Sequence, residues 1–255
     1  MSPTYASFLL ALPALVAAHG HVELVRADGV TYQGWNSALK FQNPIPETVG
    51  WQADNLDNGF VEPNAYGTDA IACHKQSKPN GGYVTVQPGS EVTFLWDTWP
   101  ESHKGPIIDY IAPCNGDCNS LSAGDLRFTK IQEGALISGS NPGTWVTDEL
   151  IANNFSSTVT IPNVAPGNYV IRHEIIALHS GSQVNGAQSY PQCINFKVEG
   201  SGTTQLTGGV PATSFYTPTD PGIHFTLWQS FDSYPIPGPA LAALKKRGHA
   251  KDFAL

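Results

Sequence analysis

Basic residues are scarce in this chain. Thirteen Lys and Arg face 21 Asp and Glu, giving a formal net charge of −8 and no basic stripe of the kind a nucleic-acid binder needs. Charged residues of both signs reach only 13 %, which disfavours a fold built from amphipathic helices with solvated faces. Beyond residue 18 no apolar run approaches the roughly 20 residues of a bilayer-spanning helix, and no hydrophobic tail supports a lipid anchor. Internal repeats and Ser/Thr/Pro linkers are also missing, so one domain is expected. Instead the chain holds 25 Gly, 20 Pro and 41 % apolar residues. That is enough to bury a core, which excludes disorder, and it favours short strands joined by turns.

Residues 8–18 form an apolar run ending in Val16-Ala17-Ala18, small where signal peptidase needs small residues. The expectation is a signal peptide over residues 1–18, a secreted extracellular protein, and His19 as the first mature residue. Four cysteines in an oxidising compartment allow three pairings. The Asn-Gly-Asp turn between Cys114 and Cys118 could bring those sulfurs together, leaving Cys73 and Cys193 to close a loop of roughly 120 residues. A Cys/His zinc site is the competing use of these residues. Asn154-Phe155-Ser156 is the single N-glycosylation sequon.

Period-two alternation predicts strands over 83–86 and 91–96 around a Gln87-Pro88-Gly89-Ser90 turn. It also predicts strands over 158–161 and 168–178 around Pro166-Gly167, and a last one over 193–198. Short helices are expected at 147–153 and after Ser120. Turn-bounded strands without long helical periodicity read as an all-β sandwich. Residues 34–73 and 200–239 have little periodicity, and irregular stretches of that length are usually functional.

Among eight histidines, position singles out His19. If it is N-terminal, its α-amine (ordinary pKa about 8) and its Nδ1 can chelate one metal ion. One further imidazole would complete three nitrogens, a tetragonal set that favours Cu(II). His103, in a loop after a strong strand, is the candidate. His179 ends one strand and Gln188 and Tyr190 lead into another, so a hairpin could gather them as supporting donors or an axial oxygen ligand.

Several segments now point one way: Ala18-His19-Gly20-His21-Val22, the loop 99–106, the strand 169–179 and Gly186-Ala187-Gln188-Ser189-Tyr190-Pro191-Gln192-Cys193. With Tyr234-Pro235-Ile236-Pro237-Gly238-Pro239, the chain from 19 to 239 resembles the fungal lytic polysaccharide monooxygenases of auxiliary activity family nine, formerly glycoside hydrolase family sixty-one. The resemblance implies an immunoglobulin-like β-sandwich with a flat copper face. His19 and His103 would hold one copper ion per chain, Tyr190 would be axial, and His179 with Gln188 would position and protonate an oxygen species. The family's two disulfides would fall on Cys73–Cys193 and Cys114–Cys118.

The implied activity is oxidation of cellulose or related β-1,4-glucans at C1 and/or C4, using O2 or H2O2 and an external electron donor. The enzyme would act as a monomer on a polysaccharide surface. Tyr234, by motif, and Tyr32, after the first strand, are the expected sugar-stacking rings. Residues 240–255, with Lys245-Lys246-Arg247, read as a disordered extension or a dibasic processing site. Two rival readings remain. A glycosidase would need two carboxyls about 5 to 10 Å apart, and Asp97, Glu101 and Asp109 cluster in sequence near His103. A non-catalytic carbohydrate-binding protein would need only the aromatic face.

Overall fold

The structure, a computed structural model, describes residues 19–244. The expected signal peptide and the Lys245-Lys246-Arg247 group lie outside the described residues. In chain order the elements are β1 (Val22–Ala27), β2 (Val30–Gln33), α1 (Ala70–Cys73), β3 (Val84–Val86), β4 (Glu91–Trp96), β5 (Ile107–Pro113) and β6 (Thr129–Gly134). They continue with β7 (Leu136–Ser138), β8 (Thr144–Trp145), α2 (Val146–Ala152), β9 (Ser156–Thr160), β10 (Gly167–Ala177) and β11 (Gln188–Val198).

Two sheets face each other. One has the order β2-β1-β4-β9 and the other β3-β11-β10-β5-β6, with only β3 and β11 parallel. The alternation of β4, buried at Val92, Phe94 and Trp96, turns that strand's apolar side inward against Ile111, Ile171, Ile175 and Phe196 of the larger sheet. This is the all-β sandwich expected.

The larger sheet is covered on its other face as well. Trp51, Val61 and Tyr66 from residues 34–73, and Phe215, Tyr216 and Leu227 from residues 200–239, pack onto Ile108, Tyr110, Val170 and Ile176. The two irregular stretches are thus a third layer over β5 and β10. That double coverage explains why β10 is buried at nearly every position and why β5, an almost unbroken apolar run, shows no alternation. The charges on this inner face are neutralised in place. Arg172 forms a two-pronged 2.7 Å pair with Glu174, which also accepts from the Tyr216 hydroxyl at 2.7 Å.

Both disulfides are formed, Cys73–Cys193 across 120 residues and Cys114–Cys118 across four. The first ties the third layer to β11. At the start of the expected extension, Ala242 N donates to Lys130 O in β6 at 3.0 Å.

Candidate metal centre

Register decides which side chains meet at the end of the sandwich. Val22 pairs with Trp96, Ile107 with Ile175, and Ile175 with Tyr190. The start of β1, the ends of β4 and β10, and the starts of β5 and β11 therefore lie together. The five expected residues sit there: His19 precedes β1, His103 lies in the loop between β4 and β5, His179 follows β10, and Gln188 and Tyr190 open β11.

Local contacts hold each of these segments. His21 N donates to Asp97 Oδ1 at 2.9 Å, and Asp97 N donates to His21 O at 3.1 Å. A Cβ on Gly20 would lie 2.1 Å from Thr98 O, so only glycine lets the N-terminal segment approach this closely. In the loop after β4, His103 N closes on Pro100 O at 3.0 Å and Trp99 Nε1 donates to His103 O at 2.9 Å. Leu178 N donates to Lys104 O at 2.9 Å, stitching that loop to the end of β10. Gly105 is required there, since a Cβ would meet Ile176 O at 1.9 Å.

The rings converge as follows. The His19 and His103 centroids are 5.3 Å apart at 64°, and His103 stacks on His179 at 4.0 Å and 28°. Tyr190 lies 5.6 Å from His19 and 5.0 Å from Trp99, and its hydroxyl donates to Gln188 Oε1 at 2.7 Å. His103 Nε2 and His179 Nδ1 are buried and have no hydrogen-bond partner, whereas Ser102 Oγ sits 3.1 Å from His103 Nδ1. Burial, helped by the neighbouring imidazoles of His179 and His19, lowers His103 to about 3. Burial likewise lowers His179, and it lowers His19 against an opposing pull from Asp57. All three rings are therefore neutral near pH 7, the state a metal ligand must have.

Among the described residues no group of three His, Cys, Asp or Glu side chains converges as a metal site. A site of two imidazoles completed by a backbone amine does not need one. The unpartnered His103 Nε2 beside the His19 ring fits a soft-to-borderline ion that prefers nitrogen.

Neither expected stacking tyrosine is placed with these rings. Tyr234 is half-buried: its ring packs edge-on against Trp145 and Phe225, both at 4.9 Å, and its hydroxyl donates to Gly222 O at 2.6 Å. Its polar tip found an internal acceptor, so the residue serves packing. Tyr32 sits in β2 opposite Val25, packed against the inter-sheet core. Three residues the sequence reading passed over belong here instead. Phe60 lies 5.8 Å from His19, Asn58 Nδ2 donates to His19 O at 3.3 Å, and Trp228, 52 % exposed, donates Nε1 to His179 O at 2.9 Å. Phe60 and Trp228 carried the same signal, an aromatic in a polar irregular stretch, and Asn58 carried none. The carboxyls near His103 do not pair: Asp109 is buried against His173, Asp97 serves His21, and Glu101 is exposed.

Residues 19–234 match Auxiliary Activity family 9 (formerly GH61). An AA9 family lytic polysaccharide monooxygenase F of Malbranchea cinnamomea is 62% identical over 234 residues, covering 91% of this chain and 95% of the relative. An AA9 family lytic polysaccharide monooxygenase I of Botryotinia fuckeliana is 53% identical, covering 91% and 87%. In three dimensions the chain is similar to the extended catalytic domain of H. jecorina LPMO9A, with TM-score 0.84, 46% identity, and coverage of 91% and 96%.

Proposed function

The chain belongs to Auxiliary Activity family 9 and is a lytic polysaccharide monooxygenase, an enzyme of oxidative polysaccharide cleavage; on that premise we propose a secreted copper enzyme acting on cellulose or a related β-1,4-glucan. One copper ion per chain would be held by His103 Nε2, by His19 Nδ1 and by the amine that cleavage after Ala18 frees on His19, with the Tyr190 hydroxyl as a further oxygen donor. The observation that carries this reading is the buried, unpartnered Nε2 of a neutral His103 next to the His19 ring.

When bound, the ion supplies one-electron chemistry between an external reductant and O2 or H2O2, leading to oxygen insertion at C1 and/or C4 beside the glycosidic bond. The chain's own groups prepare that event. Trp99 and Tyr190 wall the site from inside with apolar ring surface, which restricts water. The Tyr190 hydroxyl occupies Gln188 Oε1, which leaves the Gln188 amide to donate toward the reacting oxygen. His179, stacked on His103 with a buried, unpartnered Nδ1, would hold or accept a proton in the reaction. Trp228 offers its exposed ring to a pyranose face while its Nε1 fixes its position. The enzyme acts as a monomer, and Asn154, exposed between α2 and β9, carries an N-glycan.

Cellulose incubated with mature protein, copper and ascorbate is expected to release aldonic or C4-oxidised oligosaccharides, read by mass spectrometry. Unoxidised sugars alone, released in the presence of a chelator, would overturn this reading and favour a glycosidase. Binding without any product would favour a carbohydrate-binding protein.

A further inference from the structure

His74 follows α1 with φ 79° and ψ 177°, a backbone region that is essentially reserved for glycine. Its side chain is fully buried and both ring nitrogens are used. Nδ1 accepts from Lys75 N at 2.9 Å, so the proton sits on Nε2, which donates to Gly59 O at 2.8 Å. Burial lowers its pKa to about 4, which keeps this neutral tautomer in place. Its neighbour Cys73 is bonded to Cys193 in β11, so the ring is anchored to the larger sheet.

What the ring holds is the turn over residues 55–60. Asn58 N closes on Asn55 O at 2.8 Å, and Gly59 N is capped by Asp57 Oδ1 at 2.9 Å. From this turn the chain reaches the histidine end in three ways. Asn58 holds the His19 carbonyl, Phe60 packs 5.8 Å from His19 and 5.9 Å from Tyr190, and Val61 exchanges backbone hydrogen bonds with Ser189 at 2.8 and 3.1 Å. A glycine at position 74 would relieve the backbone but would leave the Gly59 carbonyl without its donor.

We propose that His74 is a positioning residue for His19: it fixes the 55–60 turn against the N-terminal histidine and Tyr190, and so keeps the His19 ring in one orientation, a role that rests on the copper reading for its purpose. Mature wild type, His74→Gly, His74→Gln and Asn58→Gly test this. Ring resonances of 15N-labelled histidine are recorded on the metal-free proteins, and Cu(II) spectra by electron paramagnetic resonance with calorimetric titration on the loaded ones. Glycine suits the backbone at 74, and a glutamine amide can reach Gly59 O.

Metal-free wild type and His74→Gln should show one set of His19 ring resonances, and His74→Gly a doubled or exchange-broadened set. Copper affinity should fall about tenfold in His74→Gly and Asn58→Gly, with more than one Cu(II) species, while His74→Gln keeps a single species. Should His74→Gly not fold, Asn58→Gly carries the same readouts, because that residue is half-buried at φ 53° where glycine is at ease. A single His19 set with wild-type affinity and spectrum in both glycine variants would overturn the proposal. A wild-type chain that binds no copper would instead overturn the copper reading, and the metal-free resonances would still decide the role of His74.

Discussion

His173 and His179 stand six residues apart in one segment of chain, and their surroundings give them opposite chemistry. His173 points between the sheets, where Nδ1 donates to Asp109 Oδ1 at 2.6 Å and Nε2 accepts from Trp96 Nε1 at 3.1 Å. Phe94 stacks on the ring at 4.4 Å. Every polar atom of that imidazole has a partner, so nothing is left to bind. At the end of the sandwich His179 and His103 stack on one another, each with a buried nitrogen that no protein group satisfies. An imidazole buried with its partners is a fastening, and one buried without them is available for a ligand. Burial alone does not separate the two cases.

The contrast is sharpest by substitution. His103→Ala should weaken copper binding by about a hundredfold or more and leave the metal-free protein folded. His173→Ala should leave copper affinity unchanged but cost about 3–5 kcal/mol of stability, because it strands the buried Asp109. Paired calorimetric and thermal-unfolding measurements check both arms, and a His173→Ala chain that lost copper would break the comparison.

The aromatic pair repeats the contrast at smaller size. Trp228→Ala should lower affinity for cellulose by about 1 kcal/mol, near fivefold, with little change in unfolding temperature. Tyr234→Phe should leave cellulose binding intact and cost about 1 kcal/mol of stability through the lost bond to Gly222 O. Pull-down isotherms and thermal melts decide this.

The comparison also has a pH arm. His74 resists protonation in the folded chain, its pKa falling from the ordinary 6.5 to about 4, whereas the unfolded chain takes up the proton. Its share of stability is therefore complete above about pH 6.5 and drains away as pH falls toward 4. His103, lowered to about 3, acts in the same direction. The metal-free protein should melt at progressively lower temperature over that range, and His74→Gln should show a shallower slope. Equal slopes would remove His74 from the account.

Much of the fold was legible because its outer sheet obeys a simple rule. β4 and β9 alternate, and turns with Pro and Gly bound them. β5 was silent because both its faces are covered, so no polar positions mark a face. What covers it comes from residues 34–73 and 200–239, whose packing depends on partners far away in sequence. The candidate site was legible where a residue's position along the chain carries its chemistry, as at His19 and at the strand ends of His103 and His179. Tyr234 misled because a motif names a residue and not the direction of its ring. Phe60 and Asn58 reach His19 from a turn with no periodicity at all.

The central claim is that the site is completed by an amine existing only when His19 comes first. In the 255-residue chain that nitrogen is an amide. Calorimetric copper titration of two otherwise identical proteins, one beginning at His19 and one at Ala18, tests it directly. The account predicts one tightly bound ion per chain for the first and at least about hundredfold weaker binding for the second. Equal affinities for the two would contradict it.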